Sequence, residues 1–410
     1  MASTVIENIG TLATPTGRSA RSGSEQGSVL LLKDAYLCYE NGVITAVGQG
    51  NPPAADERID AKERLVTPGL IDPHTHLVFG GWRQHELAMK LKGVTYLEIL
   101  AAGGGILSTV KNTRAASMEA LTDKAEKELA KMLRLGVTTC ECKSGYGLSA
   151  TEEMKMLRTV QLLRDRQPVE LVSTFMAAHA LPQEYAEDRE GYIRLIIEEM
   201  LPQVVAAGLA EFCDVFCETG VFTPEECREI LVAAQKLGLA AKCHSDEIDP
   251  IGGTEMAGSI GAVSCEHLIR CQESGIEAMK AGGTVACLLP ATSFYLGATF
   301  APARRMIEAG VPVAFGSDFN PGSCPCNNLP LAMNIGCYRY RMTPEECLNA
   351  VTLNAAAALR RADRLGSLEV GKQADVLIWD APDLEYVFYR FGDSLADTVI
   401  KNGAVVMQNY

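Results

Sequence analysis

The sequence lacks the features that mark several large classes of protein. No uninterrupted apolar run approaches the ~18 residues of a membrane span, and no basic segment followed by an apolar core indicates a secretory signal. No basic cluster stands out, and the net charge is -14, which argues against the basic face that nucleic-acid binding requires. We therefore expect a cytoplasmic protein that binds neither membrane nor nucleic acid.

Two further absences concern cofactors. The chain has fourteen cysteines, but no CxxC pairs with zinc-ribbon spacing. A large chain without an evident signal peptide favours reduced thiols, and many of these cysteines lie in apolar runs where they act as small hydrophobic residues. No GxGxxG follows the first strand of the central region, so a dinucleotide site has no support. The glycines of Gly103-Gly104-Gly105 lack the lysine of a phosphate loop and indicate a flexible loop near the site.

Both ends of the chain are rich in predicted strands. Asn41-Gly42 and Asn402-Gly403 each separate two apolar runs and predict two-residue hairpin turns. A length of 410 residues, of which 47% are hydrophobic, is enough for a large α/β domain and a smaller one. The simplest arrangement is one small β domain built from residues 1–66 and 363–410.

The region between, residues 67–362, alternates apolar strand-like runs with helical patterns. Eight such runs predict a (β/α)₈ barrel, with a doubly wound open sheet as the main alternative. The runs are Leu70–His74, Val137–Lys143, Leu171–Ala177, Phe212–Glu218, Ala240–His244, Ala262–His267, Thr284–Leu289 and Val311–Asp318.

Potential catalytic side chains gather at the carboxyl ends of these runs, where barrel enzymes carry their active sites. Five of the six histidines are placed there, which scattered structural histidines would not do. The residues, in chain order, are His74, His76, Lys143, His179, Glu218, His244, His267 and Asp318. The sixth histidine, His85, fits an exposed loop or helix.

Three of these histidines and one carboxylate make a plausible ligand set for a single metal ion. Residues i and i+2 of a strand project from the same face, and imidazole suits zinc and iron. Such an ion would lower the pKa of bound water and provide a hydroxide nucleophile. A second ion needs a bridging group, for which Lys143 is poorly placed and Glu218 is unsupported, so we expect one. The ligands are His74, His76, His244 and Asp318.

Other residues suggest proton transfer and an anionic substrate. Glu247 follows His244 closely, and it and His267 are candidate proton carriers; Asp318 could also hydrogen-bond the attacking water. Arg83 can grip a carboxylate bidentately. Further polar groups are offered by Tyr96, by Tyr146, and by Asn320-Pro321-Gly322-Ser323.

With these residues in place, the sequence resembles the amidohydrolase superfamily, through Pro68 to His76 together with His244 and Asp318. Within it, the sequence is similar to the family that opens the ring of 4-imidazolone-5-propanoate in histidine degradation. The narrower resemblance runs from about residue 29 to the C-terminus. It is carried by Thr75-His76-Leu77-Val78-Phe79, Arg83, Glu86, Gly103 to Ile106, Lys143 to Leu148, Ala178-His179-Ala180, Glu247 and Gly316 to Ser323.

The resemblance implies metal-dependent hydrolysis of a cyclic amide C–N bond, giving N-formimidoyl-L-glutamate. It also implies zinc or iron, a barrel joined to a small β-sandwich, and a homodimer. Carried over, the metal ligands are His74, His76, His244 and Asp318, and the position of proton transfer is His267. The substrate-contacting residues are Arg83, Tyr96, Tyr146, His179, Glu247, Asn320, Gly322 and Ser323.

Small departures from the family pattern, Gly80-Gly81-Trp82 and Glu266 in place of the frequent aspartate, concern local detail more than the reaction. Two rival functions stay open at this point. A heterocycle deaminase of the same superfamily could use the same ligands, and a barrel of this kind could serve as a non-catalytic scaffold.

Overall fold

The computed structural model describes residues 3–94 and 103–409. One eight-stranded sheet is built from the two chain ends, in the order β16-β15-β14-β5-β1-β2-β3, with β4 paired to β1. Its strands are β1 (Ser3–Thr14), β2 (Leu30–Glu40), β3 (Val43–Gln49), β4 (Glu57–Asp60), β5 (Leu65–Pro68), β14 (Val376–Trp379), β15 (Ala396–Lys401) and β16 (Ala404–Gln408). The sheet is mixed, because β1 pairs in parallel with β4 and β5 while the other pairings are antiparallel.

The second sheet is an eight-stranded parallel barrel in simple chain order, from β6 to β13. Its strands are β6 (Leu70–Asp72), β7 (Val137–Lys143), β8 (Glu170–Ala178), β9 (Phe212–Cys217), β10 (Ala240–Ser245), β11 (Ser264–His267), β12 (Val285–Leu288) and β13 (Val313–Phe315). This order confirms the predicted (β/α)₈ barrel and is not that of a doubly wound sheet, whose strand order reverses at a switch point.

Helices follow most of the barrel strands and cover its outside. The described α-helices are α1 (Leu87–Leu91), α2 (Gly105–Ala115), α3 (Met118–Arg134), α4 (Ala150–Arg164), α5 (Arg189–Arg194), α6 (Leu201–Ala206), α7 (Pro224–Lys236), α8 (Gly253–Ser259), α9 (Glu273–Gly282), α10 (Pro290–Tyr295), α11 (Ala303–Ala309), α12 (Leu329–Tyr340), α13 (Pro344–Ala350), α14 (Leu353–Ala358) and α15 (Leu384–Tyr389). Short 3₁₀ turns cover Gly23–Gly27, Gln84–Glu86 and Gln183–Tyr185, and a π-helical turn covers Leu195–Met200. Within the described residues, no helix is both long enough and apolar enough to cross a membrane.

The barrel closes just beyond the last residues of its first and last strands. A parallel bridge joins Thr75 to Phe319. The backbone N–H of Asp318 donates to the carbonyl of His74 at 3.0 Å, and that of His76 donates to Phe319 at 2.9 Å. Barrel closure therefore fixes three of the predicted metal ligands relative to one another.

Local sequence signals account for many of the element ends. The two Asn-Gly hairpins form, with Glu40 opposite Val43 and Lys401 opposite Ala404. Thr223 and Thr343 each begin a helix with a complete capping box, as their sequences predict.

The last barrel strand is shorter than its apolar run. It ends at Phe315, and three residues later Asp318 adopts a left-handed φ of 53°. The predicted domain boundaries at residues 66/67 and 362/363 remain a prediction.

Candidate active site

Three imidazoles meet at the carboxyl end of the barrel. The ring centroid of His74 lies 4.5 Å from that of His244 and 5.3 Å from that of His76, and His76 lies 5.4 Å from His244. All three side chains are buried. His74 and His76 follow β6, and His244 lies in β10, so three separate stretches of sequence, with Asp318 after β13, supply this cluster.

The ring nitrogens of this cluster face one another. Nε2 of His76 and Nε2 of His244 are 3.3 Å apart, and Oδ1 of Asp318 lies 3.4 Å from Nε2 of His74 and 3.7 Å from Nε2 of His76. Nε2 of His74 is buried without a hydrogen-bond partner among the described residues. Buried polar atoms are normally paired, so this convergence of nitrogens and one carboxylate oxygen fits a metal ion.

The opposite ring nitrogens point toward buried carboxylates. Nδ1 of His244 lies 3.0 Å from Oδ2 of Asp214, and Nδ1 of His74 contacts Oε2 of Glu266. A carboxylate at Nδ1 favours the tautomer that leaves Nε2 as an electron-pair donor, which is the usual support for a metal-ligating histidine. Thr292 holds Asp318 in the same way, donating from Oγ1 to Oδ2 at 2.7 Å.

The predicted proton carriers lie beside this cluster. Nε2 of His267 is 3.7 Å from Oε2 of Glu247, and the His267 ring lies 5.2 Å from that of His244. Burial lowers the pKa of His267 to about 3. Burial, together with the nearby charges of Asp318 and Glu218, raises the pKa of Glu247 to about 8. At neutral pH the pair is thus a neutral imidazole facing a neutral carboxyl group.

Arg83 lies against the loop that follows Asp318. Its guanidinium donates to both carboxylate oxygens of Glu86 at 2.9 Å, and a Cβ added to Gly322 would meet its terminal nitrogen at 2.1 Å. Asn320 organises that loop, because its Oδ1 accepts from the backbone N–H groups of Gly322 and Ser323, while its Nδ2 donates to the Ser323 hydroxyl. Arg83 is therefore held between Glu86 and the loop that follows Asp318.

Two more predicted residues border the cluster. The His179 ring stacks on His76 with centroids 4.8 Å apart, and its Nδ1 lies 3.1 Å from the carbonyl of Gly145. Tyr146 is buried, with its ring 5.8 Å from that of His76. Burial and the nearby His244 lower the pKa of His179 to about 3, so it is a neutral hydrogen-bonding group.

Comparisons with known proteins identify the family of this chain. A family model described as "Amidohydrolase family" matches residues 65–406. A protein of Alkaliphilus oremlandii named imidazolonepropionase is 49% identical over 98% of this chain and 97% of its own length. One of Fusobacterium nucleatum with the same name is 49% identical over 98% of both chains.

The chain belongs to the amidohydrolase family. The fold agrees: a mutant of the atrazine chlorohydrolase of Arthrobacter aurescens, solved with zinc and atraton, superposes with a TM-score of 0.74 at 18% identity, covering 99% of this chain and 95% of that one.

Of the other residues considered from the sequence, Tyr96 lies outside the described residues, and its substrate contact stays a prediction. His85 is exposed, as expected. Glu218, considered as a metal bridge, instead accepts hydrogen bonds from the backbone N–H groups of Thr219, Ile248 and Asp249, so it anchors the loop that carries Glu247.

The sequence did not reveal that charged side chains form a layer beneath the imidazoles, although Lys143 and Glu266 stand out in it singly. All members of this layer are fully buried inside the barrel. They are Glu141, Lys143, Asp214, Lys242 and Glu266. The sequence did contain a signal for this layer. Glu141 and Lys242 each lie two positions before a strand residue that faces inward, so each must face inward as well. Charged residues at such positions of an apolar barrel strand indicate a polar interior.

Proposed function

We propose that this chain hydrolyses the cyclic amide C–N bond of 4-imidazolone-5-propanoate to N-formimidoyl-L-glutamate, the third step of histidine degradation. Relatives that match nearly the whole chain are named for this substrate. The observation that carries the proposal is the meeting of His74, His76, His244 and Asp318 at one barrel end, with Arg83 beside the loop that follows Asp318.

The site holds one metal ion, zinc or iron, through His74, His76, His244 and Asp318. Three imidazoles and a carboxylate suit either metal. Such an ion acts as a Lewis acid toward a carbonyl oxygen and lowers the pKa of water.

Arg83 holds the propionate of the substrate. A guanidinium pairs with a carboxylate in two parallel hydrogen bonds, and Glu86 fixes its plane from the far side. Tyr146, His179 and Glu247 contact the ring, and Gly322 and Ser323 contact the tail through backbone or hydroxyl groups, with Asn320 shaping their loop. Tyr96 completes the substrate-binding set.

Glu247, His267 and Asp318 handle the proton that must reach the departing ring nitrogen. Neutral His267 accepts a proton at Nε2, and the neutral carboxyl of Glu247 donates one. The two atoms are 3.7 Å apart, so a small approach of the side chains brings them within hydrogen-bond reach. Oδ1 of Asp318 faces the imidazole cluster, so it accepts a hydrogen bond from the attacking water.

The protein works as a cytoplasmic homodimer whose barrel spans residues 67–362. All fourteen cysteines are free thiols, which is typical of a reducing compartment. Tyr338 and Phe391 are each 55% exposed, with ring centroids 5.7 Å apart, and neighbouring exposed aromatic rings are typical of a protein interface. Gel filtration with light scattering should give twice 44.1 kDa; a monomer would refute the dimer.

The reaction is tested by following the absorbance of imidazolonepropanoate with the wild-type protein and a His267→Ala variant. The wild type should consume the substrate, and the variant should lose at least a hundred-fold in kcat, the usual contribution of acid–base catalysis. Full activity in the variant would remove His267 from the mechanism. Ammonia release from a purine or pyrimidine, without imidazolone consumption, would replace the proposal with a deaminase.

Metal content is tested on the purified protein. Elemental analysis should give about one zinc or iron per chain, and chelation should abolish activity until that metal is restored. Absence of bound metal in an active preparation would refute the metal assignment, and absence from an inactive one would favour a scaffold protein.

A further inference from the structure

The five buried charges beneath the imidazoles include two lysines and three carboxylates. A (β/α)₈ barrel normally fills this space with apolar layers, and removing charges from water is unfavourable unless they are paired. Each of these side chains is fully buried. The lysine–carboxylate pairs of the layer offset this cost, and two of the carboxylates, Asp214 and Glu266, also contact predicted metal ligands.

Lys143 lies at the centre of this network. Its Nζ is 2.6 Å from Oδ2 of Asp214 and 2.9 Å from Oε2 of Glu266. These are the same two oxygen atoms that face Nδ1 of the imidazoles, since Oδ2 of Asp214 meets His244 and Oε2 of Glu266 meets His74. One ammonium group is therefore shared by the two carboxylates that orient two separate ligands.

The remaining charges hold this ammonium group in place. Oε2 of Glu141 lies 2.9 Å from the Lys143 ammonium. Lys242 contacts Oε1 of Glu141 at 2.7 Å and Oε1 of Glu266 at 3.2 Å, and donates to the carbonyl of Pro73 at 3.1 Å. The backbone N–H of Lys143 also donates to the carbonyl of Thr75, between the two histidines.

The carboxylates require this cation between them. Oxygens of Asp214 and Glu266 and a ring nitrogen of His244 lie within 4.8 Å of one another. Two like charges at that distance in a buried site repel strongly. Without a cation between them, at least one carboxylate would move away from its imidazole, and that imidazole would lose its support.

We propose that Lys143 is a positioning residue that locks His74 and His244 as metal ligands by holding Glu266 and Asp214 against their Nδ1 atoms. Removing the ammonium group then weakens metal binding at both histidines at once, although Lys143 itself contacts no metal. The inference rests on the proposed metal site.

The test is the metal affinity of Lys143→Met, measured by titrating the metal-free protein with Zn²⁺ against a competing chelator. Loss of the group that orients a ligand typically costs ten- to hundred-fold in metal affinity, and we expect a loss at the upper end because two ligands are affected. The absorbance of the Co²⁺-loaded protein should also change in shape, because ligand geometry changes.

Lys372→Met is the matched control. Lys372 is likewise fully buried, but its ammonium donates to the backbone carbonyls of Gly17 and Ala362. The same substitution there should leave the Zn²⁺ affinity and the Co²⁺ spectrum unchanged. A loss equal to that of Lys143→Met would show a general effect of removing a buried lysine, and would overturn the proposal.

A double-variant cycle gives the second readout. In an Asp214→Asn/Glu266→Gln background, adding Lys143→Met should change the Zn²⁺ affinity less than it does in the wild type, because the two carboxylates through which Lys143 acts on the imidazoles are already neutral. An undiminished effect would overturn the proposal, as would wild-type Zn²⁺ affinity in Lys143→Met.

Folding is checked by circular dichroism before each titration. If Lys143→Met does not fold, Glu266→Gln alone decides, since it keeps the side-chain shape; wild-type Zn²⁺ affinity in that variant would refute the role of Glu266. A wild-type protein that binds neither Zn²⁺ nor Co²⁺ would instead refute the proposed metal site.

Discussion

Glu170 joins the barrel to the sheet formed by the chain ends, and neutralising it should weaken that junction. Glu170 is the first residue of β8, and its carboxylate accepts hydrogen bonds from Arg361 at 3.1 Å and Arg364 at 3.0 Å. It also lies 3.4 Å from the ammonium of Lys401, in β15. Glu170→Gln keeps the shape of the side chain and removes the charge that attracts three cations.

The size of the effect follows from the pKa. Burial raises it, but Arg364, Lys401 and Arg361 outweigh burial and lower the pKa of Glu170 from 4.5 to about 2. At ~1.36 kcal/mol per pKa unit, this lowering of the pKa sets an upper bound of about 3.4 kcal/mol on the stabilisation that the charge of Glu170 contributes. The carboxylate is 21% and Arg364 37% exposed, so solvent screening reduces the expected loss to about 1–2 kcal/mol.

The pH dependence gives the sharper test. Because the folded-state pKa is depressed, the stabilisation is fully present above about pH 4.5 and is lost as pH falls toward about 2. The difference in free energy of unfolding between wild type and Glu170→Gln, measured in urea from pH 7 down to 3, should therefore shrink below pH 4.5. Glu190→Gln, at a side chain 91% exposed, is the control and should show no difference. If the difference in free energy of unfolding between wild type and Glu170→Gln does not change with pH, the electrostatic explanation is wrong.

Two other substitutions test local geometry. Gly322→Ala places a methyl group where the tip of Arg83 lies. The value of kcat/KM for imidazolonepropanoate should therefore fall about ten- to hundred-fold, mainly through KM, while thermal stability stays nearly unchanged. An unchanged KM would contradict the role of Arg83. Thr343→Ala removes the capping box of α13 and should lower the free energy of unfolding by about 1 kcal/mol. Thr343→Ser should lower it by less than half of that. Equal losses of stability in the two variants would contradict the role of the cap.

Much of the fold could be predicted because local signals agreed with it. Strand β7 has the predicted bounds, Val137–Lys143, and the Asn-Gly turns fix two hairpins because both residues adopt positive φ. The segment containing Gln26 was harder. Its small polar residues indicate a mobile loop, but the Gln26 side chain is buried and hydrogen-bonded to the backbone of Val313, a contact between residues 287 positions apart that no local pattern reveals.

The candidate site could also be predicted only in part. Histidines at strand ends pointed to a metal centre because strand periodicity and barrel geometry place them together. The contacts of Lys143 with Asp214 and Glu266 could not be foreseen, because these two carboxylates come from other strands. Nor could the left-handed backbone of His267 (φ 72°) and Asp318 (φ 53°), a conformation that costs about 1–3 kcal/mol and recurs at functional sites.

The most direct test of the central claim is product analysis with imidazolonepropanoate as the substrate. Wild-type protein loaded with zinc or iron should convert it to N-formimidoyl-L-glutamate without releasing ammonia. A His244→Ala variant, which lacks one of the four converging ligands, should bind less metal and lose most of this activity. Conversion by His244→Ala at the wild-type rate, or no conversion by the metal-loaded wild type, would contradict the account.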